Sequence, residues 1–234
     1  VAVVATPAPA AVAEAPSASP EKIEELKQKA AKQEQAKRYN EYVKTLVELA
    51  EAVPDEVDKV DFYMKAADLY ATKFSNAAEA VKCYESVLNL DPENATAIDF
   101  LRQSYEKRRD WEKLISVNQR EVARIANPTE RGQRFVEIAK LASEKLKKPA
   151  ISIELWERVR EANPEHGEAL AELEKLYERE KMWDMLADVS ETQARLFTDT
   201  AKKVAMLQKL GVLFTDRVKD AARATHAWRE LLAV

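Results

Sequence analysis

Apolar residues recur at three- and four-residue intervals along most of this chain, which is the signature of helices that bury one stripe. Val60, Tyr63, Ala67, Tyr70 and Phe74 form one such stripe, Ala80, Tyr84, Val87 and Leu88 the next, and Ile98, Leu101 and Tyr105 a third. Strand-like alternation is absent. The stripes are interrupted at Ser75-Asn76, Asp91-Pro92, Asn127-Pro128, Lys148-Pro149, Asn163-Pro164 and Thr198-Asp199. At Ser19-Pro20-Glu21 a capping serine, a first-turn proline and a first-turn acid mark the first helix start. Asp91 and Asn163 are read the same way, each capping a helix whose first residue is the following proline. The pattern predicts helices over 20–36, 39–52, 56–74, 77–90, 92–108, 110–126, 128–147, 149–161, 164–180, 182–197, 200–217 and 219–233, arranged as six antiparallel pairs.

The stripes also repeat at long range. Moving 72 residues along carries Tyr84 to Trp156 and then to Trp228, and Tyr39 to Trp111 and then to Trp183. Asp91-Pro92 returns as Asn163-Pro164, and Glu85, Val87, Glu93, Ala97, Leu101, Tyr105, Glu106, Trp111 and Leu114 all find their own type 72 positions later. A period this long holds more than one helix, so stacked units share a core that no single unit closes. The five aromatics Tyr84, Trp111, Trp156, Trp183 and Trp228 are expected to be structural core, filling the hole between successive pairs. The fold class is all-α, an α-solenoid.

Composition narrows the classes of function. Of 234 residues, 37 are basic and 41 acidic, so the net charge is only −4 despite 33% charged residues. Interleaved signs make a solvated surface and argue against nucleic acid as a partner. Three glycines and no phosphate-loop sequence leave no nucleotide cradle of those kinds. No run approaches the length of a spanning helix, so direct membrane insertion is not expected and the protein is read as soluble, cytoplasmic or periplasmic. Residues 1–19, rich in alanine, interrupted by proline and carrying one charge at Glu14, read as a flexible tether to a repeat domain over 20–234. The chain opens on Val1, and its last helix stops where earlier copies run on into Asp91-Pro92 and Asn163-Pro164. The expectation is a piece of a longer protein, truncated at its C-terminal end, with further repeats or self-association through that end.

Residues 60–92 place Tyr63, Ala66, Ala67 and Tyr70, then Ala80, Tyr84, Val87 and Pro92, in an order that resembles the tetratricopeptide repeat family. Phe135, Ile138, Ala139, Ala142, Ser152, Trp156, Val159 and Pro164 repeat it, as do Leu207, Leu210, Gly211, Phe214, Ala224, Trp228 and Leu231. The alternate units diverge: Asn118 and Ser190 stand where a large aromatic is expected, and Glu121 and Gln193 where a small residue is. The resemblance covers roughly 20–234 and implies a right-handed superhelix whose first helices line a concave face. On that face it places Asp61, Met64, Asp68, Asp99, Gln103, Val136, Lys140, Lys175, Arg179 and Gln208, an inner ladder acidic at its start and basic in its middle. The lysine and asparagine cluster by which some members clamp a carboxylate terminus is not reproduced.

No catalytic set converges. His166 and His226 lack the three or four ligands a metal needs and read as surface residues. Cys83, the single cysteine, precedes Tyr84 and corresponds to Leu155, so a buried structural thiol is expected. The carboxylate pairs and basic clusters read as solvated helix faces. The chain is therefore expected to be non-enzymatic and without cofactor or metal. It is read as a scaffold binding a protein or peptide segment on its concave face, with a structural or assembly role in a larger complex as the alternative.

Overall fold

The computed structural model describes residues 19–234, so the expected tether, apart from Ser19, lies outside the described residues. Among these the fold is all-α. Its helices are α1 (Pro20–Gln35), α2 (Tyr39–Ala52), α3 (Glu56–Thr72), α4 (Ala77–Leu90), α5 (Ala95–Arg108) and α6 (Trp111–Ala123). They continue as α7 (Pro128–Lys145), α8 (Pro149–Ala162), α9 (Gly167–Glu180), α10 (Trp183–Leu196), α11 (Thr200–Leu213) and α12 (Ala221–Ala233), with a π-helical turn at Phe214–Val218 extending α11. The starts keep register: Tyr39, Trp111 and Trp183 open α2, α6 and α10 at steps of 72, and Glu56, Pro128 and Thr200 open α3, α7 and α11 at the same step.

The caps explain those starts. Ser19, Asn127 and Asp199 each accept backbone N–H groups from the first turn of the helix that follows, with Pro20 and Pro128 at the first position of two of them. Asp55, Asn76, Asp110 and Asp220 do the same for α3, α4, α6 and α12. Two starts differ from expectation. Pro92 and Pro164 do not open helices but sit in tight turns, where Asp91 and Asn163 accept from the N–H groups of Glu93 and Glu165 at 3.3 and 3.2 Å. The caps lie three residues further on. Asn94 accepts from the Ala97 N–H at 3.1 Å, and His166 Nδ1 from the Ala169 N–H at 3.2 Å. His166 is thus a half-buried helix cap rather than a surface histidine.

In five of the six connections between a first and a second helix, all but α7–α8, the chain turns through a left-handed residue that is not glycine: Lys37, Ser75, Arg109, Lys181 and Lys219, with φ of 56°, 50°, 56°, 59° and 59°. Lys37, Arg109 and Lys181 again fall 72 apart.

The chain forms two compact units, divided between Ser104 and Tyr105. In the first, α2 packs on α1 and α3, and α3 on α4. Asp68 meets Tyr84 while Tyr63 meets Ser86, so numbers rise on α3 as they fall on α4 and the pair is antiparallel. Leu46, Leu49, Ala66, Ala67, Val87 and Ile98 are buried there. In the second unit α6 to α12 pack in sequence, each on the next. Its core gathers Leu155, Trp156, Leu170, Leu173, Tyr177, Leu186, Leu207 and Phe214. Each unit has the helix-pair architecture that the tetratricopeptide resemblance implies.

Candidate protein-interaction surface

In the first unit, Asp61 and Asp68 are exposed on α3 with Met64 half-buried between them. Asp68 accepts a 2.6 Å hydrogen bond from the Tyr84 hydroxyl. Burial first, and then this bond, raise the Tyr84 pKa, so the phenol stays protonated. The Tyr84 ring packs on Phe100 of α5 with centroids 4.5 Å apart, which brings α3 and α5 together around one aromatic. On α5, Asp99 and Gln103 are exposed, and Asp99 pairs with Arg102 at 3.1 Å. Neither Asp61 nor Asp68 has a cationic partner within ion-pair distance among the described residues.

In the second unit the expected basic steps are all engaged. Lys140 on α7 meets Glu168 on α9 at 2.9 Å, Lys175 meets Glu172 at 2.7 Å, and Arg179 meets Glu180 at 3.2 Å. Lys209 on α11 reaches back to Glu174 and Glu178 of α9 at 2.9 and 3.1 Å. Burial lowers the Lys209 pKa, but its two carboxylate bonds outweigh that and the net shift is upward. Val136 is half-buried against the core, and Gln208 is exposed. Ion pairs therefore tie the first helices α7, α9 and α11 into one row. Arg223 ties second helices in the same way: from α12 it bonds Asp188 at 2.7 Å and Glu191 at 2.8 Å on α10, above the Phe214 ring.

The five aromatics expected in the core separate into three groups. Tyr84 and Trp156 are buried, Trp156 completely, with its indole N–H donating to Ser143 at 2.9 Å. Trp111 and Trp183 are only half-buried. Each opens a second helix and lies under a cation from the end of the next first helix. Lys145 stands 5.9 Å from the Trp111 ring and Arg217 5.1 Å from the Trp183 ring, as Lys73 stands 3.4 Å from Tyr39. All three cations share the 72-residue register, so the arrangement is a repeated staple and not a core site. Trp228 is 38% exposed: its inner face covers Gly211, where even a β-carbon would collide with the indole, and no helix of the described chain covers its outer face.

Cys83 is buried, and burial followed by the nearby Glu79 charge pushes its thiol up to about 11, so it is a poor nucleophile. It lines a cavity of about 400 Å³ among α2, α3 and α4, with Lys44, Glu51, Tyr63 and Lys82. A second cavity of about 380 Å³ among α10, α11 and α12 is lined by Asp188, Arg195, Leu207, His226 and Ala227. Eight lining positions of the two correspond at twice the 72-residue step, yet Lys44 has become Asp188 and Glu51 has become Arg195. The repeat makes the hole, and its chemistry is not shared. No residue of the first-helix ladder lines either cavity. No group of three or more His, Cys, Asp or Glu side chains among the described residues could hold a metal, and no described helix is long and apolar enough to cross a membrane.

No protein-family profile and no curated protein matches the chain. Solved structures similar to it include YrrB, a tetratricopeptide repeat protein described as having an unusual peptide-binding site, at 18% identity over 76% of this chain and 88% of that one, with a TM-score of 0.37. PilF of Pseudomonas aeruginosa is similar at 18% identity over 90% of both chains, with a TM-score of 0.37. A tetratricopeptide repeat protein of Parabacteroides merdae is similar at 14% identity over 91% of this chain and 80% of its own, with a TM-score of 0.36.

Proposed function

We propose that this chain is a non-catalytic protein-interaction scaffold, and that the first-helix face of its N-terminal unit takes a basic segment of a partner protein. The reading rests chiefly on the contrast between the units. Asp61 and Asp68 face solvent without a cation, whereas Lys140, Lys175 and Arg179 already hold carboxylates. An exposed acidic row with a thioether at its centre favours Lys- or Arg-bearing segments that also bring an apolar side chain, giving steering and register through several modest contacts. Asp61, Met64, Asp68, Asp99 and Gln103, all in the N-terminal unit, are the contact surface of this proposal.

A photo-cross-linking residue at Met64 tests it. A partner captured there, but not from the same probe at Lys147, and lost when Asp61 and Asp99 are both changed to lysine, is the expected result. Capture that is indifferent to those two changes and to added salt would refute the acidic face.

A further inference from the structure

The cavity among α10, α11 and α12 carries a chemistry that its counterpart among α2, α3 and α4 lacks. Where the counterpart has Tyr63 and Cys83, this one has Leu207 and Ala227, and Ala194 and Leu210 complete an apolar floor of buried side chains. Its charged walls divide in two. Asp188 and Glu191 are already held by Arg223, at 2.7 and 2.8 Å. Arg195 lies two turns further along α10, roughly 10 Å from Asp188, and its guanidinium reaches the Thr192 hydroxyl at 3.5 Å. Lys203, half-buried near the start of α11, has no ion pair among the described residues, and neither has Glu230 on α12. With both acids of the Arg223 cluster engaged, the charges left to a ligand are Arg195, Lys203 and Glu230, beside the exposed His226 ring. The hole does not depend on where α12 stands in the chain: its counterpart between α2 and α4 is of like volume, with α5 following α4.

We propose that this cavity binds a small monocarboxylic acid with an apolar body. The hydrocarbon lies on Leu207, Leu210, Ala194 and Ala227, and the carboxylate meets Arg195 and Lys203 at the α10–α11 end. A volume of about 380 Å³ is in the range of small-ligand sites, which pair apolar walls with a few placed polar groups. A guanidinium offers a carboxylate two parallel N–H donors. The Thr192 contact that it gives up is long for such a bond, so little is lost in the exchange. Glu230 is the one unengaged lining charge that works against the ligand. The site belongs to the C-terminal unit, apart from the acidic face of the N-terminal unit, and neither proposal depends on the other.

Octanoate and phenylbutanoate, one with a chain and one with a ring, are the probes, added to the whole chain and followed by amide NMR spectra. At least one should shift the resonances of Ala194, Leu207 and Ala227 while those of Tyr63 and Cys83 in the counterpart cavity stay still, and the tighter binder names the body. Octylammonium should bind at least about tenfold more weakly than octanoate. Arg195→Gln and Lys203→Gln, which leave the core untouched, should each weaken the acid about tenfold, the loss of one charged hydrogen bond. Glu230→Gln should tighten it. The proposal is overturned if neither acid moves those resonances, if octylammonium matches octanoate, or if affinity is indifferent to both glutamine changes. Equal shifts at the two cavities would overturn it as well, since any hole of the repeat would then serve.

Discussion

At the scale of the residue, one period serves two purposes. The phase of Tyr84 and Trp156 is buried, and Trp156→Ala should cost about 3–5 kcal/mol, since a large ring would leave a cavity in a close-packed core. Urea unfolding measures this, and a loss below about 1 kcal/mol would contradict the burial. The phase of Tyr39, Trp111 and Trp183 is instead an aromatic under a cation. A double-mutant cycle of Trp111→Leu and Lys145→Met should give a coupling of about 0.5–1 kcal/mol, the range of such contacts at exposed sites. Zero coupling would mean that the two side chains merely lie near each other. Both phases were legible in the sequence as recurring aromatics, but their difference was not. Periodicity reports that a position is large and repeated, while burial depends on which neighbouring helix covers it. Trp228 makes the same point: it has the sequence of a core residue and the exposure of an edge.

At the scale of the element, the caps carry most of the local information. His166→Ala should lower stability by about 1 kcal/mol while His166→Asn largely preserves it, because only an acceptor on the side chain is needed for the Ala169 N–H. Equal losses for both variants, read by thermal unfolding, would show that the ring acts through packing. Arg38 offers the opposite case. It precedes α2 with φ −84° and ψ 63° and gives no side-chain cap, while Asp110, at the same register and nearly the same dihedral angles, caps α6. Arg38→Asp should therefore stabilise the chain by about 0.5–1 kcal/mol, and a destabilisation would refute the equivalence of the two starts. Helix starts marked by serine, aspartate or asparagine beside proline could be read directly. Those of α5 and α9 could not, because Asp-Pro and Asn-Pro suit a tight turn as well as a helix start. Histidine, moreover, is an uncommon cap.

At the scale of the whole molecule, buried protonated groups set the alkaline limit. The Cys83 thiol and the Tyr84 and Tyr177 phenols all have raised pKa values, with burial the first cause in each. A proton held more tightly in the folded state gives stability that is complete below the unfolded pKa and lost as pH rises toward the folded value. For the thiol that window runs from 9.0 to about 11, and the phenols begin to contribute above 10.0. The urea midpoint should therefore be lower at pH 10.5 than at pH 8, and an unchanged midpoint would show that these groups are hydrated when folded. Of the basic steps expected of the inner ladder, Lys175 and Arg179 are held by the near neighbours Glu172 and Glu180, which the sequence displays, but Lys140 is held by Glu168, a residue far along the chain. No local pattern announces such partners. The shared register of helix starts has one more consequence. Because α6 and α10 begin 72 residues apart at Trp111 and Trp183, residues 111–182 form a cassette whose two ends are interchangeable junctions. Inserting a second copy after Met182 would lengthen the protein by two helix pairs without shifting any later turn out of phase, so the length of the array can change in whole steps while every junction keeps its geometry.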